Sequence, residues 1–354
     1  MNSKLPSAGR ARRAAALFVV AGLLGLGMFL LWLRQGEFHG EAFLATFRKL
    51  NWGWVAAAAG IALLTYLGRA LRWQVLLRPL QPHSSLWNLF TATAMGFTAI
   101  VLFGRPGELV RPYLIALKQR VSFSSQMAAW LLERIYDLLM ALLIFGIALS
   151  QVQRSGMAVG VKLRWVLEVG GLFVAVAGTL SLVVLFALNR FSGRVRERLL
   201  EGLAVLPGHW RKKAEQVADA FSQGAGSTRE YVQVAWLVGY SVLEWVLIVA
   251  SYQCLFQALP STAGLKLTDV LIFVGFVSFG CVVQIPGVGG GLQLSAIIVL
   301  TELYGLGLEE ATGLAVVLWI ITFVVIVPFG LVLAMVEGIN FNKIRALGRQ
   351  AELK

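Results

Sequence analysis

The feature that most constrains the fold is a series of apolar runs long enough to cross a lipid bilayer. A transmembrane helix needs about 20 mostly apolar residues, and these runs reach that length. Only 14% of the residues are charged, whereas soluble proteins average about 25%. The sequence therefore predicts an all-α polytopic membrane protein that forms a single transmembrane domain over residues 1–354. The continuous helices are expected at about 14–33, 53–77, 125–150, 165–188, 231–256 and 311–336.

Two further apolar segments, at about 86–117 and 269–304, are interrupted in the middle. The first contains Pro106-Gly107 and the second contains Pro286-Gly287. These breaks do not continue a helix, because Pro has no N–H and Gly has no side chain to pack. Irregular backbone in a bilayer is tolerated only where protein or a water-filled cavity surrounds it. We interpret each segment as a re-entrant hairpin, which gives about eight hydrophobic segments in all.

The distribution of Lys and Arg predicts the topology. With both hairpins re-entrant and the N-terminus inside, most basic residues outside the helices fall on the cytoplasmic side, as the positive-inside rule requires. The net charge of +13 is therefore interpreted as a topology signal rather than as nucleic-acid binding. The basic loop 189–230 is expected to be amphipathic and to lie on the cytoplasmic membrane surface. We expect both termini to be cytoplasmic and the protein to reside in the cell inner membrane.

This topology predicts an internal repeat. A first half at about 53–150 and a second half at about 231–336 each consist of a helix, a hairpin and a helix, in opposite orientations. Inverted repeats of this kind are typical of secondary transporters, whose substrate site lies where the two broken segments meet near the bilayer midplane.

Charged residues in the first hairpin are the leading site candidates. A charge within the membrane costs roughly 2.5–3.5 kcal/mol, so Arg105, Glu108 and Arg111 need a reason to be there. Arginine suits a phosphate group because its guanidinium is planar and carries several donors. The alternatives are a lipid head-group site and an internal salt bridge that locks the hairpin. We expect Arg105, directly before the break, to be the ligand, and Arg111 to be the structural partner of Glu108.

Further polar residues lie in other predicted membrane segments. Glu133 and Asp137 share one helix face beside Arg134, and they form either a buried pairing network with the hairpin charges or a proton-coupling pair. Glu244 stands near the middle of its helix, and the sequence names no certain partner for it. Gln284 and Gln293 flank the second break and suggest a polar but uncharged hairpin. The Gly289–Gly291 run is interpreted as close hairpin packing rather than a phosphate loop, because no Lys and Ser/Thr follow it. We expect Glu133, Arg134, Asp137, Glu244 and Gln293 to contribute to substrate binding.

The end of the second predicted helix is the stretch Arg69-Ala-Leu-Arg-Trp73. Long basic side chains near a helix end can extend to the interface, where tryptophan is enriched. Arg69 and Arg72 are therefore expected at the membrane surface, with Trp73 in the aromatic belt.

Four stretches occur together in order. They are 69–73, Gly104-Arg-Pro-Gly-Glu-Leu-Val-Arg-Pro-Tyr-Leu114, Glu133-Arg-Ile-Tyr-Asp137 and the glycine-rich run after Pro286. Together they resemble the lysylphosphatidylglycerol synthase transmembrane family, also described as flippase-like. The resemblance implies an inner-membrane protein of bacteria or archaea, and in fused relatives this domain moves an aminoacylated phosphatidylglycerol between leaflets. The soluble synthase half is not expected here, and Gln293 stands where the family commonly has a Glu.

These observations favour a lipid translocase that moves a phospholipid or lipid-linked head group between the leaflets of the cytoplasmic membrane. The alternative is a non-transporting membrane partner that presents lipid substrate to a separate glycosyl- or aminoacyl-transferase. An intramembrane enzyme is a third class, but we expect no enzymatic activity, because the sequence carries no Ser-centred elbow and no His-based acid–base pair. No metal site, cofactor or nucleic-acid partner is expected.

Overall fold

A computed structural model describes residues 39–155, 170–185 without 171 and 184, 230–280, 284–285 and 289–338. The predicted helix at 14–33 and the amphipathic loop 189–230, apart from its last residue, lie outside the described residues. Five described helices are long and apolar enough to cross a membrane: Trp52–Leu77, Leu86–Phe103, Phe123–Arg154, Tyr231–Gln257 and Leu308–Val336. The chain is therefore an all-α polytopic membrane bundle, as the sequence predicts.

The first half of the bundle consists of five α-helices and one short 3₁₀ turn. They are α1 (Gly40–Lys49), α2 (Trp52–Leu77), α3 (Leu86–Phe103), the 3₁₀ turn Arg105–Leu109, α4 (Val110–Gln119) and α5 (Phe123–Ser155). The helices predicted at 53–77 and 125–150 and the break after residue 103 are confirmed. Side-chain caps define two of the starts: Asn51 accepts from the Gly53 N–H before α2, and Ser85 accepts from the Asn88 N–H before α3.

Helix α6 (Leu172–Val183) lies between the two halves in the sequence. The second half contains α7 (Tyr231–Gln257), α8 (Leu267–Gly280), β1 (Gln284–Ile285), β2 (Gly289–Gly290), α9 (Gly291–Glu302), α10 (Leu308–Trp319), a π-helical segment at Ile320–Val324 and α11 (Val327–Val336). The helix predicted at 231–256 and the second break are confirmed. The two short strands pair antiparallel at the tip between α8 and α9, with Gln284 opposite Gly290.

Glycine allows the two limbs of the first hairpin to touch. Gly104, which has a φ of 69°, caps the C-terminal end of α3, and Pro106 lies at the start of the 3₁₀ turn that follows. A Cβ at Gly107 would collide with the Ala99 carbonyl, and a Cβ at Gly96 would collide with Arg111. Helix α4 therefore folds back against α3, and only glycine fits where the two backbones approach so closely.

The second hairpin closes in the same way. A Cβ at Gly280, the last residue of α8, would collide with Ser295 and with the Gly291 carbonyl of α9. This contact agrees with the interpretation of the glycine run as a close-packing element rather than a phosphate loop.

The last predicted helix, 311–336, is not continuous. The Val325 N–H donates to the Ile320 carbonyl at 2.9 Å, which is a π-type bond one residue longer than in an α-helix. Pro328 explains the interruption, because a proline donates no hydrogen bond and its ring clashes with the carbonyl four residues earlier.

The two halves pack on each other through three main interfaces. Helix α2 packs on α7, the first hairpin limb α3 packs on α11, and the second hairpin limb α8 packs on α5. Glycine lies in both hairpin contacts: Gly330 of α11 faces Thr98 of α3, and Gly275 of α8 faces Ala148 of α5. Small residues allow membrane helices to approach closely, and dispersion then contributes much of the association energy.

Residues 34–51 lie between the first two predicted spanning helices, where the sequence predicts only a polar loop. In the structure, residues 40–49 form helix α1 instead. The helix packs on α10, where Thr46 lies against Gly313, and the His39 N–H donates to Glu309 at 3.0 Å. It was missed because ten residues of mixed polarity do not give the long apolar run that marks a spanning helix.

Candidate functional site

A cavity of about 350 Å³ lies between the two halves. Helices α2, α5 and α7, both hairpins and the π-helical segment all contribute to its wall. Its charged lining residues are Arg69, Arg105, Glu108, Arg111, Arg134, Asp137 and Glu244. Six of the eight predicted site residues are thus brought together at one cavity, and a seventh, Glu133, bonds directly to them.

Arg72 lies at the centre of the charge network and is completely buried. Its Nη2 lies 2.7 Å from Glu133 Oε1, and its Nη1 lies 2.6 Å from Asp137 Oδ1. It also donates to Ser241 Oγ at 3.1 Å. The expectation that Arg72 extends to the membrane surface is wrong, because α5 and α7 cover this end of α2. The two carboxylates offset the cost of burying its guanidinium.

Arg111 also pairs differently from the expectation. Its guanidinium donates to both carboxylate oxygens of Glu133, so its partner is Glu133 and not Glu108. The guanidinium also lies over the Trp73 ring, 4.3 Å from the ring centroid. Because α4 folds back against α3, the Arg111 side chain points across the hairpin toward α5.

Trp73 is buried and does not belong to an aromatic belt at the interface, as the sequence had suggested. Its Nε1–H donates to Gln126 Oε1 at 2.9 Å. A buried indole needs such an acceptor, and the stacked Arg111 adds a cation–π contact. Trp73 therefore positions Arg111 from the side opposite the cavity.

Glu244 has a partner that the sequence did not reveal. Its Oε1 lies 2.6 Å from Nη2 of Arg69, and its Oε2 lies 3.3 Å from Nη2 of Arg72. The Arg69 guanidinium also lies over the Phe97 ring at 4.7 Å. Arg69 is mostly buried rather than interfacial, and this pair joins α2 of the first half to α7 of the second.

Arg105 and Glu108 form an ion pair at the mouth of the cavity. The Arg105 side chain is 47% exposed and the Glu108 side chain only 11%, so the arginine faces outward. The expected role of Arg105 as a ligand stays a prediction. Glu108 follows Arg105 by three residues in the 3₁₀ turn. This spacing places both side chains on the same side of the turn, so they can pair.

Arg134 is the remaining charged residue of α5 in this cluster. Its Nη2 lies 3.1 Å from Asp137 Oδ2 and 3.7 Å from Glu133 Oε2, and its side chain is 34% exposed. Both carboxylates already have shorter contacts with Arg72 or Arg111. Among the three arginines that contact Glu133 or Asp137, Arg134 therefore has the longest ion-pair distances.

Gln293, like Glu133, is not among the residues that line the cavity. Its Oε1 accepts from the Gly290 N–H at 2.7 Å, at the start of α9. The contact satisfies a backbone donor that a helix N-terminus leaves open. Gln293 thus supports the tip of the second hairpin.

Two tyrosines line the cavity beside the π-helical segment. The Tyr66 hydroxyl donates to the Thr322 carbonyl at 3.0 Å, and the Tyr252 hydroxyl lies 3.5 Å from Thr322 Oγ1. Thr322 lies in the π-helical segment, where carbonyls leave the regular helix pattern. Sequence reasoning missed these three residues, since aromatic residues in apolar runs carry no distinguishing signal.

The fold and the cavity define a polytopic membrane protein with a charged site inside an apolar bundle. The family model for the lysylphosphatidylglycerol synthase transmembrane region matches residues 14–330, and the chain belongs to this family. The resemblance drawn from the four sequence stretches is therefore confirmed. Searches of curated proteins and of solved structures find no match to the chain. The family indicates a membrane function related to lipids.

Proposed function

We propose that the protein is a lipid translocase that moves a phospholipid or lipid-linked head group between the leaflets of the cytoplasmic membrane. The observation that carries the proposal is the charged cavity, because elements of both halves line it. A head group would occupy the charged end while the acyl chains remain in lipid. Intramembrane charges that face a bundle interior typically mark a substrate pathway.

The packing of the halves supports an inverted repeat with two re-entrant hairpins. In an inverted repeat, α2 corresponds to α7, α3 to α8, and α5 to α11. The α3–α11 contact then corresponds to the α8–α5 contact, and the α2–α7 contact corresponds to itself. Transporters of this plan expose a central site alternately to each side by rocking one repeat against the other. In this proposal the three interfaces slide, and the cavity opens to one leaflet at a time.

Ion pairs between the two halves would stabilise the conformation that the protein adopts without bound lipid. Arg69 and Arg72 of α2 contact Glu244 of α7 beside the cavity. Away from it, Lys118 of α4 lies 2.7 Å from Glu337, directly after α11. A charged head group can take the place of one partner in these ion pairs. Its binding would then favour a conformation in which the two halves are packed differently.

The predicted lining residues take distinct roles in this proposal. Arg105 at the mouth makes the first contact with a lipid phosphate. Arg72, Arg111 and Glu133 hold the hairpin and α5 in place. The protein itself catalyses no covalent reaction, and its lipid is made or used by another membrane enzyme.

Reconstitution into liposomes tests the proposal. Purified full-length protein is inserted into vesicles that contain a trace of fluorescent phosphatidylglycerol, and dithionite quenches only the label in the outer leaflet. Translocase activity predicts quenching beyond half of the label in protein-containing vesicles, at a rate that rises with protein content. Vesicles without protein serve as the control.

Binding of lipid without movement between leaflets would overturn the translocase assignment. It would favour the second role, in which the protein presents lipid to a separate transferase. Product formation by the purified protein alone would instead indicate an enzyme.

A further inference from the structure

We infer that the cavity selects a head group with a single phosphodiester and a net charge of −1, and that Arg134 is the main ligand of that phosphate. The inference rests on the proposed lipid translocase function and names its substrate class. It concerns equilibrium binding, so it can be tested whether or not transport occurs.

The first argument is the balance of the charged residues at the cavity. In the part of the chain that the structure describes, five arginines and four carboxylates line the cavity or pair with residues that line it, which leaves one positive charge. Burying an uncompensated charge in an apolar bundle is costly, whereas a bound anion of charge −1 neutralises it. A phosphodiester carries that charge at neutral pH.

The second argument identifies the arginine that supplies the surplus charge. Three carboxylates have clear partners: Glu133 with Arg111, Glu244 with Arg69, and Glu108 with Arg105. Asp137 lies closer to Arg72, at 2.6 Å, than to Arg134, at 3.1 Å.

Arg134 thus shares both of its carboxylates with better-placed arginines. Its Nε is buried and has no hydrogen-bond partner among the described residues, as is also the case for Nε of Arg69 and Arg72. A planar guanidinium with spare donors suits the oxygens of a phosphate.

The third argument is the apolar surface on either side of Arg134. Trp130 and Leu138 lie one turn before and one turn after it on α5, so all three share one helix face. Both line the cavity, and Leu138 is 36% exposed. This face offers a charged contact for the phosphate with apolar contacts for the adjoining glycerol and acyl carbons.

The same network disfavours a head group that carries additional ammonium groups. Each of the four carboxylates already contacts an arginine. An ammonium in the cavity would find no unpaired carboxylate among the described residues and would face the surplus positive charge. The best match is therefore an anionic glycerophospholipid with an uncharged polar head.

The experiment measures the shift in melting temperature of the purified full-length protein on adding soluble probes. The probes are dihexanoylphosphatidylglycerol, a dihexanoyl lipid with a trimethylammonium head and no phosphate, and inorganic phosphate. A ligand that binds the folded state raises the melting temperature with concentration, which gives an apparent affinity. The variants are Arg134→Gln, Arg134→Lys and, as the control, Arg154→Gln, which changes an exposed residue of the same helix.

We expect dihexanoylphosphatidylglycerol to stabilise the wild type and the cationic lipid not to. Arg134→Gln should weaken the apparent affinity by about tenfold or more, Arg134→Lys should weaken it less, and Arg154→Gln should leave it unchanged. Without a probe, Arg134→Gln should melt close to the wild type, because Glu133 and Asp137 keep Arg111 and Arg72.

Equal stabilisation by the cationic lipid, or an undiminished affinity in Arg134→Gln, would overturn the inference. Stabilisation by inorganic phosphate but not by the phospholipid would overturn the lipid assignment of the site. Phospholipid binding that depends on Arg134, in a protein that moves no lipid in vesicles, would sustain the inference and refute the translocase.

Discussion

Arg69 of α2 and Glu244 of α7 form an ion pair between the two halves beside the cavity, with Nη2 and Oε1 2.6 Å apart. The Glu244 side chain is 1% exposed and that of Arg69 is 15% exposed, so water screens the pair little. Removing one partner of a buried ion pair leaves an uncompensated charge, which costs more than removing both.

Glu244→Gln should therefore lower the free energy of unfolding by about 3–5 kcal/mol. The double change Arg69→Gln and Glu244→Gln should recover part of this loss, because neither partner is then left alone. Thermal melting of the purified proteins measures both effects. Glu310→Gln is the matched control, because its contact with Lys49 is 3.9 Å long and exposed, and such pairs contribute about 0–1 kcal/mol. Equal melting of Glu244→Gln and Glu310→Gln would show that the α2–α7 pair is not a structural bond.

A second prediction separates the two arginines of the first hairpin. Arg111 is buried against Glu133 and Trp73, whereas Arg105 is 47% exposed beside Glu108. Arg111→Gln should destabilise the protein by about 3–5 kcal/mol, and Arg105→Gln by less than about 1 kcal/mol.

If Arg105 makes the first contact with a phosphate, Arg105→Lys should slow lipid transfer without changing the melting temperature, because lysine lacks the planar fork. Melting curves and the dithionite assay on the same preparations check both statements. Full transfer by Arg105→Lys would remove Arg105 from the binding role.

The sequence predicts the hairpins but not which charged residues pair. A helix break depends on neighbouring residues, whereas the ion pairs join residues that are far apart in the sequence. Pro106-Gly107 interrupts a helix through local backbone chemistry, so the break can be read directly. The contact between Arg69 and Glu244 depends on how α2 packs on α7, which the sequence of neither helix encodes alone. Arg72 was placed at the surface because it lies near a helix end, and only the covering helices α5 and α7 bury it.

A third prediction concerns the contact that closes the first hairpin. A Cβ at Gly107 would overlap the backbone carbonyl of Ala99, which cannot move aside as a flexible side chain can. Gly107→Ala should lower the melting temperature and the yield of folded protein, with a cost of about 1–3 kcal/mol or more. Gly60→Ala is the control, since a Cβ there meets nothing within 4 Å. Equal behaviour of the two variants would mean that α3 and α4 do not need this close approach.

The last prediction tests the opposite orientation of the two halves. In a variant that lacks Cys254 and Cys281, a cysteine at position 308 should react with a membrane-impermeant maleimide added to intact cells. A cysteine at position 212, in the basic loop, should react only after the membrane is permeabilised, because basic loops remain on the cytoplasmic side. The outer end of α10 and the loop would then lie on opposite sides, as two re-entrant hairpins require. Labelling of position 212 in intact cells would mean that the first hairpin segment crosses the membrane once. In that case the two halves would not have opposite orientations. The cavity could then not open to each leaflet in turn by rocking of one inverted half against the other.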